Sequence, residues 1–282
     1  MEYTIYAHLL LNDGDVSSLH FNVDTVLGAI GKWIKSNNSN LNVSKTNYIV
    51  FQNRSIKVDF PPVTLEGAVL QRVTRTKFLG VYIDENINWN NQITFVATKL
   101  SKMSGILYRI RENLTREALI SVYYTLCFPH LIYCVSVWAC TWPSFLKKIT
   151  VAQNNILRCL FYMNKFDSTQ PIFSTQKFLT FENIHKYFLL LFIYKYIKQD
   201  HDSQLFRLVN TSHNTRSNTV NLICPQFSTS LFNNSVLCFG PSLWNSLTTD
   251  IKSLVNSGTL SLFKRHVKTH LFNLQTVDVE NM

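Results

Sequence analysis

Residues 41–83 limit the fold of this chain more than any other stretch, because runs of strand-forming residues alternate there with turn-forming residues. The runs at 48–51 and 78–83 are rich in β-branched and aromatic residues, which favour strands. The turn former Pro61-Pro62 lies between them, and a further strand is predicted at residues 69–73. This part of the chain is therefore expected to form short strands joined by turns.

Helical spacing of apolar residues dominates the rest of the chain. It predicts helices at residues 15–35, 90–111, 145–162 and 184–197. In the second of these, the apolar side chains fall within an arc of about 100°, which leaves the other side of the helix polar. The fourth is apolar on nearly every side and too short to span a membrane, so we expect it to be buried.

Residues 118–142 form a long run that contains no Asp, Glu, Lys or Arg. About 20 apolar residues are enough to span a bilayer, so the length of this run allows a transmembrane interpretation. Pro129, His130 and the interspersed Ser, Thr and Tyr residues argue against that interpretation. The run is therefore predicted to form buried helices of a soluble protein, with no membrane partner.

The composition indicates a folded chain with a polyanionic partner. Hydrophobic residues make up 46% of the sequence and charged residues only 16%, which is too apolar for a disordered chain. The 27 Lys and Arg residues exceed the 17 Asp and Glu residues, and a net charge of +10 fits binding to nucleic acid. Many basic proteins bind no polyanion, so the charge alone leaves this question open.

The 20 Phe and 12 Tyr residues exceed the needs of one ordinary core, and some of these rings are expected to face another part of a larger protein.

The cysteines predict neither a metal site nor disulfide bonds. No two of them form a Cys-x-x-Cys pair, and none lies near His at the spacing of a zinc site. The N-terminus also lacks the features of a signal peptide. We therefore expect reduced, mostly buried thiols in an intracellular protein, cytoplasmic or nuclear and not secreted. The six are Cys127, Cys134, Cys140, Cys159, Cys224 and Cys238.

Two motifs carry a resemblance to a known family. Residues 41–51 fit the pattern L-N-x-x-K-T-x-x-x-x-F, and residues 77–84, about 30 residues further on, fit K-F-L-G-V-x-x-D. In this order and spacing the motifs resemble the reverse transcriptases of non-LTR (LINE-class, jockey-like) retrotransposons. Residues 123–138 fit that family's Y-x-x-L-x-x-P-x-L-x-Y-C-x-x-x-W, and residues 240–245 fit its G-x-x-x-W-N. The resemblance therefore extends over nearly the whole chain.

The resemblance implies an α+β fold in three parts. Residues 1–88 would be a partial palm, made of a small antiparallel sheet and a helix, with the primer-grip hairpin. Residues 89–200 would be a mostly helical thumb and connection, and residues 201–282 the C-terminal region of the retroelement's reading frame. The parent activity of the family is RNA-directed DNA synthesis, with Mg²⁺ as the cofactor of the intact enzyme.

The chain departs from the family at the catalytic motif. Tyr6-Ala7 stands where the family carries Y-A-D-D, but His8 and three leucines follow, and both aspartates are missing. Nucleotide addition by two metal ions needs clustered carboxylates. Asp13-Gly14-Asp15 offers two, although a solvated turn is the commoner role of such a sequence, and His8 alone fits a core or edge histidine. We therefore expect no catalytic residue, no metal site and no bound cofactor in this truncated chain.

Residues of the two motifs have implied roles in binding. The resemblance places Lys45 near the phosphates of the incoming nucleotide, although a lysine that only caps a turn would look the same. It also implies a primer-grip hairpin, in which a glycine allows close approach of the backbone to the primer strand. The alternative for that glycine is a simple bulge in a hairpin. The primer-grip residues are Phe78, Leu79 and Gly80.

Cations on the predicted helix at 90–111 are candidates for contacts with the nucleic-acid backbone. Lys99, Lys102 and Arg109 gather on a flank beside the apolar arc. In the family this helix begins the thumb, which follows the template–primer through phosphate contacts. The alternative is an ordinary solvated helix face. Further candidates nearer the C-terminus, with the same alternative, are Arg216, Lys264, Arg265 and Lys268.

Three functions are consistent with this sequence. The first is an inactive remnant of a reverse transcriptase that still binds an RNA template or an RNA–DNA hybrid weakly through its thumb. The second is a non-catalytic interaction protein, with an intact polymerase as a candidate partner. The third is the product of a pseudogene without a selected role.

Overall fold

A computed structural model gives the architecture of the chain. It describes residues 9–39, 42–52, 59–199, 205–209, 220–226 and 230–280. The chain divides into two compact units, residues 1–88 and residues 89–282. All the strands assigned in the described parts lie in the first unit, and the second is built from helices. The predicted α+β class is confirmed.

The first unit is organised by one long helix, α1, which spans Val16–Ser36. The side chain of Asp15 caps its start by accepting hydrogen bonds from the backbone N–H groups of Ser17 and Ser18, at 3.0 and 3.1 Å. The apolar face of the helix packs on a small core. The buried residues of that core are Phe60, Val63, Leu65 and Leu70.

In the described residues, six short strands form three separate pairs. They are β1 (Asn47–Tyr48), β2 (Thr64–Leu65), β3 (Ala68–Val69), β4 (Gln71–Arg72), β5 (Arg75–Phe78) and β6 (Val81–Asp84). Strands β2 and β3 pair antiparallel, as do β5 and β6, whereas β1 and β4 pair parallel. The prediction of one small antiparallel sheet is therefore wrong in detail, because the pairs do not join and one of them is parallel.

Two predicted strand runs are shorter than expected. The run at residues 48–51 is a strand only at Tyr48, since the chain continues past it without ladder pairing. The run at residues 78–83 is interrupted by a turn at Leu79 and Gly80, where the chain reverses between β5 and β6. Strand propensity marks residues that suit a sheet, but the pairing partner decides where a strand ends.

Helices account for the second unit. Their bounds are α2 Asn90–Ile110, α3 Arg116–Val122, α4 Phe128–Ile132, α5 Val135–Trp138, α6 Pro143–Leu160, α7 Gln170–Thr175, α8 Phe181–Lys198, α9 Ser230–Asn233, α10 Val236–Asn245, α11 Thr249–Ser257 and α12 Leu260–Glu280. The helices predicted at 90–111, 145–162 and 184–197 correspond to α2, α6 and α8.

The uncharged run at residues 118–142 forms a helix with an irregular turn. A π-helical turn at Tyr123–Cys127 joins α3 to α4. Pro129, in the first turn of α4, lacks an N–H and would clash with a carbonyl one turn earlier, which accounts for this widening. One face is buried, as predicted, but Tyr124 and Leu126 are exposed. Within the described parts of the chain, every helix is too short or too polar to cross a bilayer.

Helix α8 is the centre of the larger core. It is buried on nearly every side, as predicted, and it contacts α10, α11 and α12. Trp244 and Phe263, both fully buried, stack with their ring centroids 5.9 Å apart. The Trp244 indole N–H also donates to the Val220 carbonyl, at 2.8 Å. The tryptophan of the G-x-x-x-W-N motif is thus a core residue that also holds a neighbouring segment of the chain.

Candidate nucleic-acid interface

Lys45 lies at the end of a single 3₁₀ turn, Val43–Lys45, in the first unit. The Asn42 side chain accepts a hydrogen bond from the Lys45 N–H at 3.2 Å, and the Thr46 hydroxyl donates to the Asn42 carbonyl at 2.9 Å. Both bonds fix the turn through groups other than the lysine ammonium. Lys45 is exposed, and none of the ion pairs found in the described residues includes it.

The predicted primer-grip residues form the tip of the β5–β6 hairpin. Leu79 and Gly80 make a two-residue turn with φ values of 44° and 87°. Two consecutive positive φ angles are typical of turns that match the twist of a hairpin, and they require glycine or cost strain. Gly80 therefore lies in the turn itself, and the alternative of a bulge is wrong. Leu79 is 70% exposed, and Phe78 is half-buried.

Two cations of the same hairpin were missed from the sequence. Arg75 and Lys77 are exposed on β5, where alternate residues lie on the same face. The Lys77 ammonium lies 5.6 Å from the centre of the Tyr82 ring on β6. The signal was the alternation of basic residues at a period of two, just before the L-G motif. The hairpin therefore combines a basic strand with an apolar tip.

Helix α2 of the second unit presents its cations on one flank. Lys102 and Arg109 are exposed, and Lys99 is half-buried with its ammonium 5.6 Å from the centre of the Phe95 ring. At about 100° per residue, the three lie within about 80° of one another around the helix. None of them takes part in an ion pair in the described part of the chain. The buried side of the helix is formed by Gln92, Ile93, Val96, Leu100 and Leu107.

Most of the candidates for phosphate contacts nearer the C-terminus lie on helix α12. Lys264, Arg265 and Lys268 are exposed on α12, whose opposite face is buried through Phe263 and Val267. Arg216 lies outside the described residues. The exposed cations of α12 fit a phosphate contact and a solvated face equally well.

The carboxylates near the N-terminus have structural roles. Asp13 accepts hydrogen bonds from the Gly14 N–H at 2.7 Å and from the Asn22 side-chain amide at 2.8 Å. Asp15 caps α1, as described above. Both acids are thus engaged in hydrogen bonds at or just before the start of α1. Tyr6, Ala7 and His8 lie outside the described residues, and within the described residues no three His, Cys, Asp or Glu residues gather in a way that could hold a metal ion.

The cysteines are all free, but they are less buried than predicted. Cys134 and Cys224 are exposed, because each lies where the chain leaves regular structure rather than on a packed face. Burial raises the pKa of Cys127 and of Cys140 to about 12, so these thiols are not nucleophiles near neutral pH. The Cys140 sulfur lies 3.4 Å from Nε2 of His185, and burial lowers the pKa of that histidine to about 4.

The amino-acid sequence is similar to those of RNA-directed DNA polymerases from mobile elements. It is 29% identical over 136 residues to the RNA-directed DNA polymerase from mobile element jockey of Drosophila funebris, a match that covers 47% of this chain. It is also 24% identical over 160 residues, or 55% of the chain, to the probable RNA-directed DNA polymerase from transposon X-element of Drosophila melanogaster. The predicted resemblance to the reverse transcriptases of non-LTR retrotransposons is confirmed.

The extent of this similarity is partial. The matched stretch is about half of the chain, although the motifs indicated a resemblance along nearly all of it. It covers 14% of the jockey polymerase and 17% of the X-element polymerase, so the chain spans only a small fraction of its relatives' length. No protein-family model matches the chain, and no solved structure gives a significant match.

Proposed function

We propose that this chain is a catalytically inactive remnant of a retrotransposon reverse transcriptase that retains weak binding to the backbone of an RNA template or RNA–DNA hybrid. The observation that carries the proposal is the flank of α2, where Lys99, Lys102 and Arg109 form no ion pair with any described carboxylate. The similarity to RNA-directed DNA polymerases supports nucleic acid as the polyanion.

The dimensions of the α2 flank suit a duplex backbone. From Lys99 to Arg109 the helix rises about 15 Å, and one strand of a duplex presents about four phosphates over that length. Phosphate contacts of this kind carry no sequence information, so they would hold a hybrid of any sequence. Weak binding is expected, because three cations neutralise few phosphates.

In the first unit, we propose that Lys45 contacts a phosphate group and that Phe78, Leu79 and Gly80 contact the primer strand. The exposed lysine on a fixed turn supports the first role. The exposed apolar tip of the hairpin and the cations of β5 support the second. The proposed absence of polymerase activity is supported by the missing Y-A-D-D aspartates and by the hydrogen bonds that engage Asp13 and Asp15.

A binding titration tests the role of α2. A fluorescently labelled RNA–DNA hybrid of 20 base pairs is titrated with the protein at low salt, and its anisotropy gives the affinity. The double variant Lys102→Gln/Arg109→Gln should bind about tenfold more weakly than the parent. The control Lys177→Gln/Lys195→Gln removes two exposed cations elsewhere in the same unit and should bind within twofold of the parent. Equal losses in both variants would show that net charge, and not α2, determines binding.

A second candidate function is that of a non-catalytic interaction protein in the cytoplasm or nucleus. It is favoured by apolar side chains that are exposed around α3–α5. These side chains are Tyr124, Leu126, Tyr133 and Val137. An intact polymerase of the same element is the candidate partner. Co-purification with that polymerase, together with no affinity for the hybrid at low salt, would establish this function in place of the first.

A further inference from the structure

Exposed aromatic rings and cations lie at the ends of α2 and α6 and in the loop after α6 in the second unit. Phe166 is 90% exposed, Tyr108 61% and Tyr162 51%. Each ring has a cation beside it. The Arg116 guanidinium lies 5.5 Å from the centre of the Phe161 ring. We call this surface the aromatic platform, and it comprises Tyr108, Arg111, Arg116, Phe161, Tyr162, Lys165 and Phe166.

One guanidinium joins the two helix ends. The Arg111 guanidinium lies 4.2 Å from the centre of the Tyr108 ring and 5.0 Å from the centre of the Tyr162 ring. The Tyr162 hydroxyl donates a hydrogen bond to the Arg111 carbonyl. Cation–π contacts of this kind hold both rings in place while leaving much of their surface in solvent.

The loop after α6 holds Phe166 in a defined turn. The Arg158 Nε–H donates to the Asp167 carbonyl at 2.9 Å, and the Asp167 carboxylate accepts from the Asn164 N–H at 2.7 Å. The Lys165 ammonium lies 5.6 Å from the centre of the Phe166 ring. A large apolar ring is thus presented to solvent by a turn with its own hydrogen bonds.

The backbone at Tyr162 is strained. Its φ is 54°, at the position after the end of α6 where glycine is usual, and the next N–H, that of Met163, bonds back to the Arg158 carbonyl at 2.9 Å. A bulky residue pays a steric cost there. The ring is half-exposed, so burial does not offset that cost, and strain of this kind is typical of positions that serve binding.

We propose that the aromatic platform binds unpaired nucleotides of single-stranded RNA or DNA. Bases would stack on Phe166, Tyr108 and Tyr162, and Arg116 and Lys165 would contact the phosphates between them. None of the platform's cations forms an ion pair in the described part of the chain. A surface that bound an apolar partner protein through these rings would need no cation beside each ring. The inference rests on the proposed function, in that it adds a single-stranded substrate to a chain already proposed to bind a hybrid.

The platform is separate from the cations proposed to hold the hybrid. At about 100° per residue, Tyr108 lies about 100° around α2 from Arg109 and about 120° from Lys102. Single-strand binding and hybrid binding can therefore be removed independently.

The test compares labelled 15-nucleotide oligo(dT) and oligo(U) with the blunt RNA–DNA hybrid at low salt. The variant Tyr108→Leu/Phe166→Leu keeps apolar side chains but removes two stacking surfaces. It should bind the better of the two oligomers at least tenfold more weakly and the hybrid within twofold of the parent. The control Phe192→Leu, which removes an exposed ring elsewhere in the unit, should bind all three probes as the parent does. Phe166→Leu alone, at the most exposed position, provides a second variant, and thermal unfolding confirms that each variant is folded.

Each remaining outcome overturns the inference. If the double variant binds both oligomers as tightly as the parent, or loses hybrid and oligomer equally, the rings are not a stacking site. If the parent binds the hybrid but neither oligomer, the inference fails while the proposed function stands. If the parent binds none of the three probes, the proposed function fails and the inference fails with it.

Discussion

Among single residues, His185 gives the stability of the second unit a dependence on pH. Its ring is buried, stacks on Phe239 with centroids 5.5 Å apart and contacts the Cys140 sulfur. Burial, with a smaller contribution from Lys186, lowers its pKa from 6.5 to about 4. Between these values the unfolded chain binds more protons than the folded one, so the histidine's contribution is complete above pH 6.5 and is lost as the pH falls to 4.

The expected loss at pH 4 is about 3 kcal/mol in the free energy of unfolding. Urea unfolding at pH 7, 5 and 4 measures it, with His185→Gln as the comparison. The variant should start less stable and lose less stability on acidification, since the carboxylates titrate in both proteins but the histidine only in the parent. An identical loss in the two proteins would contradict this account.

A substitution at Leu79, in the hairpin turn, is expected to change the stability of the first unit and the binding of the hybrid in opposite directions. Asn tolerates the left-handed backbone at this position far better than Leu, and Asn-Gly is a favoured pair for such a turn. Leu79→Asn should therefore raise the free energy of unfolding of the first unit by about 1 kcal/mol. If Leu79 contacts the primer as proposed, the same variant should bind the hybrid more weakly. Thermal unfolding and anisotropy test the two parts, and unchanged affinity in a stabilised variant would remove Leu79 from the primer grip.

At the scale of elements, Gln275 connects α12 to the start of α8. Its Oε1 accepts from the Thr180 N–H and the Asn183 amide, at 3.1 and 3.0 Å, and its Nε2 donates to the Phe178 carbonyl at 3.1 Å. Gln275→Ala leaves these buried groups without a partner, so it should cost about 2–4 kcal/mol in the free energy of unfolding. Asn273→Ala, an exposed neighbour on α12, should cost less than 1 kcal/mol. Urea unfolding compares the two, and equal costs would contradict the connecting role of Gln275.

The helices were largely predictable from the sequence, and the strand pairs were not. Apolar spacing located α1, α2, α6 and α8, because helical hydrogen bonds are local and the buried face repeats along the chain. Strand ends depend on partners distant in sequence, so the runs at 48–51 and 78–83 were too long. The short helix α7, Gln170–Thr175, lies in a part of the chain that carries no such repeat.

The candidate site was predictable only where its residues share one element. The cations of α2 follow from helical spacing, and Arg75 and Lys77 would have followed from strand spacing. The aromatic platform could not be predicted, because Tyr108 and Tyr162 meet only when α2 and α6 pack with their ends together. Packing between elements is not encoded in any single periodic pattern.

At the scale of the whole molecule, we expect no DNA synthesis. The Y-A-D-D aspartates are missing, and the nearest carboxylates that follow are engaged in hydrogen bonds. Asp15 caps α1, and Asp13 accepts from the Gly14 N–H and the Asn22 side chain. A primer-extension assay on the purified protein, with Mg²⁺ and separately with Mn²⁺, should give no incorporation above a blank without protein. Template-dependent incorporation would show that other residues replace the missing pair.

The salt dependence of hybrid binding tests most directly whether α2 binds the nucleic-acid backbone through its cations, as we propose. The affinity of the parent should fall linearly in a plot of log K against log salt concentration, because each phosphate contact releases a counterion. The slope for Lys102→Gln/Arg109→Gln should be smaller by about two, one for each contact removed. An affinity of the parent that does not change with salt, or the same slope in both proteins, would contradict the claim.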